Sequence, residues 1–184
     1  AQPISTRRHR SPDRCGGRPR RTALRRRAWS TPWSGVSYDA AANEGTNNRG
    51  TARKVGFIGL GNVGGKLAGS LLRNGYDLMV RDLDREVAQP FVDAGARFAE
   101  SPRDMAEQCD LVITCLPSPA ASAAVMEAED GLLAGFGPGK IWAEMSTTDE
   151  AEVKRLGAKV IETGASPVDC PVSGGCHRAA TGNI

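Results

Sequence analysis

Three glycines and an aspartate concentrate the chemistry of this 184-residue sequence. Gly59, Gly61 and Gly64 stand in the spacing G-x-G-x-x-G, directly after the β-branched and aromatic run Val55–Ile58. Asp82 ends a second apolar run 18 residues beyond the last glycine. A tight turn out of a strand, a backbone bare enough for a pyrophosphate, and a helix packed close to that strand each need a residue without a side chain. The helix that follows, expected from about Asn62 to Asn74 with Gly75 just past its end, points unpaired N–H groups and a positive dipole end at the phosphates. An acid about twenty residues on is placed to accept hydrogen bonds from a ribose. Three glycines in six residues also make ordinary turns, so the spacing alone is weak. Strand before, helix after and acid at the second strand end together meet the context test for dinucleotide binding. Gly59, Leu60, Gly61, Asn62, Val63, Gly64 and Asp82 are the residues expected to hold it.

Other reactive groups are sparse. The five cysteines form no C-x-x-C pair and no His/Cys spacing for a metal, and their odd number in an α/β chain reads as reduced thiols. No metal site is expected. Cys176 beside His177 suggests a nucleophile and base, but sequence neighbours seldom form such a dyad and the pair is read as part of a glycine-rich loop.

The elements that must position the glycine turn alternate strand and helix from Lys54 onward, the pattern of a parallel sheet covered on both faces. Asp84 caps a short helix toward Asp93, with Pro90 expected to kink it or delay its start. Ser101, Pro102 and Asp104 open another helix, ending near Cys109. Strands are expected over Asp110–Leu116, Lys140–Met145 and Ser166–Val172, and helices over Ala120–Ala128 and from Asp149 to Thr163. The stretch containing Gly131, Gly135, Gly137, Pro138 and Gly139 reads as loop. Three strand ends then meet at one edge, at Gly59–Gly64, at Leu116–Pro119 and at Ser146–Thr147. Ligands sit at such an edge in open α/β sheets. The hydroxyls of Ser146, Thr147 and Thr148 serve there either as ligand contacts or as helix caps.

Charge divides the chain. Residues 1–53 hold twelve arginines, no lysine and three acids, whereas the remainder carries a net charge of −6. The basic pI of about 8.7 therefore says nothing of nucleic-acid binding by the folded part. Four prolines and few large apolar residues leave residues 1–53 unable to offset their ordering entropy, so this arm is expected to be disordered. An extension past the true start, a transit peptide and a phosphate-contacting arm all fit its composition, and the first methionine being Met79 favours the extension. No apolar run approaches the ~20 residues of a membrane span. The fold expected is α/β, a Rossmann-type doubly wound, mostly parallel sheet with helices on both faces over residues 54–184, preceded by the arginine-rich arm.

From Lys54 to Ile184 the sequence resembles the β-hydroxyacid dehydrogenase family, which includes 3-hydroxyisobutyrate dehydrogenase and the glyoxylate/succinic semialdehyde reductases. Its dinucleotide domain is similar to that of 6-phosphogluconate dehydrogenase. VGFIGLGNVGGKLAGSLLRNGY resembles the family's GFIGLGxMGxxMAxNLxxxG, and Cys115-Leu116-Pro117 resembles its M-L-P cofactor loop, with Ala121 where an asparagine is common. Glu144-Met145-Ser146-Thr147 resembles D-x-S-T, and Asp169 to Gly175, with Ala179, Gly182 and Asn183, resembles D-A-P-V-S-G-G-x-x-x-A-x-x-G-N. The resemblance implies cofactor contacts at Leu116, Pro117 and Thr147, and substrate contacts at Ser173, Gly174 and Gly175. It also implies a parent oxidoreductase, homo-oligomeric, acting on a small 3-hydroxy acid or semialdehyde, with no nucleic-acid or membrane partner. The family's catalytic lysine lies on a C-terminal helical domain, and no lysine here falls in a matching motif, so this chain is expected to bind cofactor without turning over substrate. Its uncovered last strand, Ser166–Val172, is expected to expose apolar surface. A non-catalytic dinucleotide-binding module is the competing reading.

NAD is favoured over NADP. The Asp82 carboxylate repels a 2′-phosphate, and Asp82-Leu83 stands where phosphate-preferring members carry Asn-Arg. Arg81 lies within the strand and points away from Asp82, and Arg85 falls on a helix start. The expected compartment is the cytoplasm, or an organelle matrix if the arm is a transit peptide.

Overall fold

The computed structural model describes residues 53–183, so the expectations for the arginine-rich arm and Cys15 lie outside the described residues. Six strands form one sheet in the order β3-β2-β1-β4-β5-β6: β1 Lys54–Ile58, β2 Asp77–Arg81, β3 Arg97–Phe98, β4 Leu111–Thr114, β5 Ile141–Glu144 and β6 Ser166–Asp169. Every pairing is parallel. The order reverses between β1 and β4, where a crevice opens at the carboxyl ends of the strands.

Successive strand residues face opposite sides, so each strand feeds two cores. Val55 and Phe57 of β1 join Leu78, Val80, Ile113 and Ala143 on one face. Ile58 joins Met79, Val112 and Trp142 on the other. The first face is covered by α1 (Gly64–Arg73), α2 (Arg85–Asp93) and α7 (Gly175–Thr181), which contribute Leu67, Ala68, Ala88 and Ala179. The second is covered by α3 (Pro102–Gln108), α4 (Pro119–Glu127), α5 (Leu132–Gly135) and α6 (Glu150–Glu162), through Met105, Met126, Leu132, Leu156 and Val160. The expected doubly wound sheet with helices on both faces is thus observed. Two-sided burial explains why its strands read as continuous apolar runs.

Several boundaries differ from expectation. Pro90 does not delay α2, which starts at Arg85 with the expected Asp84 cap accepting from Glu86 N–H and runs through Pro90 to Asp93. Strands β4 and β6 stop at Thr114 and Asp169, sooner than Leu116 and Val172, because Cys115–Pro117 and Cys170–Val172 turn out of the sheet. The short strand β3 and helices α5 and α7 fall in stretches without a readable period. Helix α6 is capped by Asp149, which accepts from Glu152 N–H, so the expected capping by Ser146–Thr148 is not what starts it. Helix α1 ends as expected. Tyr76 N–H bonds to Leu71 O and Gly75 N–H to Leu72 O, a paired closure that needs the positive φ of 79° at Gly75.

On β6 the expected exposure is present, with Val168 45% accessible. Cys109, Cys115, Cys170 and Cys176 are free thiols. No helix among the described residues is long and apolar enough to cross a membrane, and none of their His, Cys, Asp and Glu side chains cluster as metal ligands.

Candidate functional site

A cleft of about 670 Å³ opens at the reversal point between β1 and β4. Its floor is the glycine turn, and each glycine has a distinct reason to be one. Gly59 has a φ of 93°, and a Cβ there would lie well under 3.0 Å from the carbonyl of Cys115, which crosses beneath it. A Cβ on Gly64 would collide with the carbonyl of Gly59, so helix and strand touch only because the side chain is missing. Gly61 is different: a Cβ there would meet nothing within 4 Å. Packing does not require that glycine, and the space it leaves belongs to the cleft.

The first turn of α1 is left open to an anion. It contains no acid, Val63 makes no side-chain cap, and no described residue supplies an acceptor for the N–H groups of Gly61, Asn62 or Val63. Unpaired N–H groups beside a helix dipole suit phosphate. Lys66 reaches back to the carbonyl of Asn62 at 3.1 Å, adding positive charge to the same turn. These features fit a dinucleotide pyrophosphate.

Asp82 lies at the rim with its carboxylate already anchored. One oxygen accepts Leu60 N–H at 2.7 Å and the other Asp84 N–H at 3.2 Å, and the residue lines the cleft with acceptor capacity left over. Leu60 itself is buried and contributes only this backbone link. Both nearby arginines carry hydrogen bonds, and Arg81, expected to point away, is among the residues lining the cleft beside Asp82. Arg81 donates to Ala99 O at 2.9 Å and Glu100 O at 2.5 Å, while Arg85 pairs with Glu100 and lies 4.4 Å from the Phe98 ring centroid.

The opposite wall comes from the end of β4 and from α4. Leu116, Pro117 and Ala121 line the cleft. With Ala121, the residues Ala124, Val125 and Ala128 form a stripe that was not assigned from the sequence, although its i, i+3, i+4, i+7 spacing is readable. Leu83, 99% exposed beside Asp82, adds an apolar group at the mouth.

Thr147, Ser173, Gly174 and Gly175 are not part of this lining. Thr147 is exposed after β5, while Ser173–Gly175 are exposed after β6, with Gly174 and Gly175 at positive φ and opening α7. The loop is tied to β5, since Cys170 N–H bonds to Glu144 O at 2.9 Å and Val172 N–H to Met145 O at 3.2 Å. Helix α7 packs on α1, where Arg73 donates to Ala180 O at 2.6 Å. Cys176 and His177 are both exposed on α7. A second groove of about 470 Å³ lies beneath α1, among Phe57, Leu71, Tyr76 and Met145.

Beneath the second half of the crevice is a network that the sequence did not reveal. Glu144, wholly buried, accepts from Ser146 N–H at 2.8 Å, from the Ser146 hydroxyl and from the Ser122 hydroxyl at 3.2 Å. The Ser146 hydroxyl in turn accepts Leu116 N–H at 2.7 Å. One carboxylate thus joins β5, α4 and the Leu116 rim. The hydroxyl of Thr148 is also buried, without a partner among the described residues.

Residues 54–184 match the model of the NAD binding domain of 6-phosphogluconate dehydrogenase. The chain is 38% identical over 154 residues to mitochondrial 3-hydroxyisobutyrate dehydrogenase of Rattus norvegicus, covering 83% of this chain and 46% of that protein. It is likewise 38% identical over 132 residues to the NAD-dependent L-serine dehydrogenase of Pseudomonas aeruginosa, covering 72% and 44%. Among solved structures, Psf3 in complex with NADP+ and 2-OPP superposes with a TM-score of 0.67 at 32% identity, covering 70% of this chain and 45% of that one. The chain spans less than half the length of these relatives. Fold, glycine turn and family match agree, and the chain belongs to the family of NAD-binding domains typified by 6-phosphogluconate dehydrogenase, with 3-hydroxyisobutyrate dehydrogenases among the proteins it is similar to.

Proposed function

We propose that the chain binds NAD in the cleft at Gly59–Gly64 and presents it to a small 3-hydroxy acid or semialdehyde. The observation that carries this reading is the open position at Gly61 beside unclaimed N–H groups, between two glycines that packing alone demands. Gly61, Asn62, Val63 and Gly64 hold the pyrophosphate and Asp82 accepts from the adenosine ribose. Leu116, Pro117 and Thr147 bound the nicotinamide half. Nicotinamide, when bound, supplies the hydride acceptor or donor. Ser173 and the N–H groups of Gly174 and Gly175 receive a substrate carboxylate or hydroxyl, a role that glycines at positive φ suit because the backbone is bare. Relatives named for 3-hydroxyisobutyrate and for L-serine support a small hydroxy acid without choosing one.

NAD rather than NADP is supported by the anchored Asp82 carboxylate and by the engagement of Arg81 and Arg85 with Glu100. A 2′-phosphate would meet the Asp82 charge, while the Arg81 guanidinium in the cleft lining has one nitrogen committed to Ala99 O and Glu100 O. The NADP+ complex of one relative keeps the opposite preference in play as an outcome of the test.

No lysine is among the residues lining the cleft, and Lys66 at its phosphate turn is bonded back to Asn62 O. Lys140 donates to Glu107 O and Cys109 O, Lys154 pairs with Glu150, and Lys159 with Glu127. The chain is therefore expected to bind cofactor without turnover. Calorimetric titration with NADH and NADPH, followed by assays with 3-hydroxyisobutyrate and L-serine, tests both parts. Saturable NADH binding without oxidation of either acid is expected. Absence of binding would refute the cofactor reading, and turnover would refute the inactive one.

A further inference from the structure

Glu144 is the only buried charged residue among the described residues, and no lysine, arginine or histidine pairs with it. Its partners, Ser122 and Ser146, are neutral dipoles. They can satisfy the carboxylate's lone pairs without cancelling its charge. The residue ends β5, in the half of the sheet that receives the second mononucleotide of a dinucleotide. Two hydrogen bonds, through Ser146, separate the carboxylate from Leu116 N–H on the cleft wall. Burial pushes up the thiol of Cys115, which lines the cleft, and the neighbouring Glu144 adds to that push.

We propose that Glu144 is a charge-setting residue of the cofactor site, placing a fixed negative charge beneath the nicotinamide end so that the oxidised, cationic ring binds better relative to the reduced, neutral one. The proposal rests on the dinucleotide reading above. The two cofactor forms share adenosine and pyrophosphate, so those contributions cancel in the ratio of their affinities. A unit charge roughly 10 Å away at an effective dielectric of about 20–40 changes that ratio by about five- to fifteen-fold. If Glu144 only pinned Leu116, its loss would weaken both forms alike.

The test is calorimetric titration of the 184-residue chain with NAD+, NADH and ADP-ribose at fixed salt, alongside Glu144→Gln and Glu144→Asp. Glu144→Gln should lower NAD+ affinity relative to NADH by about five- to fifteen-fold and leave ADP-ribose nearly unchanged. Glu144→Asp keeps the charge and should keep the ratio. Equal losses for NAD+ and NADH would overturn the proposal, as would an unchanged pair. Should Glu144→Gln fail to fold, Glu144→Asp and Ser122→Ala decide. Both retain the charge, so a collapsed ratio in either overturns the proposal. A wild-type chain that binds none of the three nucleotides would instead remove the dinucleotide reading itself.

Discussion

The two halves of the crevice are built by different means. Around β1, α1 and β2 the backbone makes the site: Gly59 and Gly64 allow contacts no side chain would permit, and Gly61 leaves room. Around β4, β5 and α4 buried side chains make it, with Glu144 and Ser146 holding the Leu116 rim. A backbone site tolerates no added atom at its contact points. A side-chain site tolerates bulk but fails when one donor or acceptor is removed.

The glycine pair Gly64 and Gly61 should show the largest effect. Gly64→Val forces a side chain into the carbonyl of Gly59, an overpacking cost of about 1–3 kcal/mol or more, and should lower Tm by several degrees or abolish folding. Gly61→Ala meets nothing in the protein, so Tm should stay within about a degree while NADH affinity falls at least about tenfold, the difference between a fold glycine and a ligand glycine. Calorimetry and thermal melts of both variants check this. Equal Tm losses would erase the distinction.

In the side-chain half, Ser146→Ala strands Leu116 N–H and removes one donor, the hydroxyl, from Glu144, which keeps the backbone N–H at position 146 and the Ser122 hydroxyl. Leaving buried polar groups unpaired costs about 1–3 kcal/mol, and chemical denaturation should show a loss of that size. An unchanged midpoint would mean that water replaces the hydroxyl and that the rim does not depend on it.

A smaller effect belongs to Asp82→Asn. The amide cannot accept both Leu60 N–H and Asp84 N–H, and it removes the charge set against a 2′-phosphate. The preference for NADH over NADPH should narrow several-fold, on the order of one hydrogen bond to a charged group. A wider gap in the variant would exclude Asp82 as its source.

The smallest effect lies at the back of α4. Arg155 and Lys159 on α6 hold the Glu127 carboxyl down to about 2, below its usual 4.5. A lowered pKa in the folded state stabilises above the unfolded value, and the contribution is lost as pH falls from about 4.5 through 2. Glu127→Gln should therefore melt slightly lower than the parent at pH 7 and no differently near pH 2, with added salt shrinking the gap. A gap that persists at pH 2 would point to packing rather than charge.

What the sequence disclosed follows the same division. Backbone rules are written in residue type and spacing, so the glycine turn, the closure at Gly75, the cap at Ser101 and the parallel sheet were all readable. The Glu144 network was not, because Ser122, Glu144 and Ser146 meet only after β4 and β5 pair and α4 folds over them. Helices α5 and α7 escaped because short, glycine-flanked segments show less than two turns of period. The exposed Ser173, Gly174 and Gly175 owe their assignment to family resemblance, Thr147 to resemblance and to its place at a strand end, and the function of all four rests on proposal.

The central claim is that the unclaimed amides of the glycine turn receive the cofactor phosphates. Amide NMR of the 184-residue chain during titration with NADH tests it most directly. The account predicts saturable shifts and slowed hydrogen exchange at Gly61, Asn62, Val63 and Gly64, with smaller changes at Leu60 and Leu116. Shifts centred instead on Leu71, Tyr76 and Gly182, in the groove beneath α1, would contradict it, as would no saturable change at all.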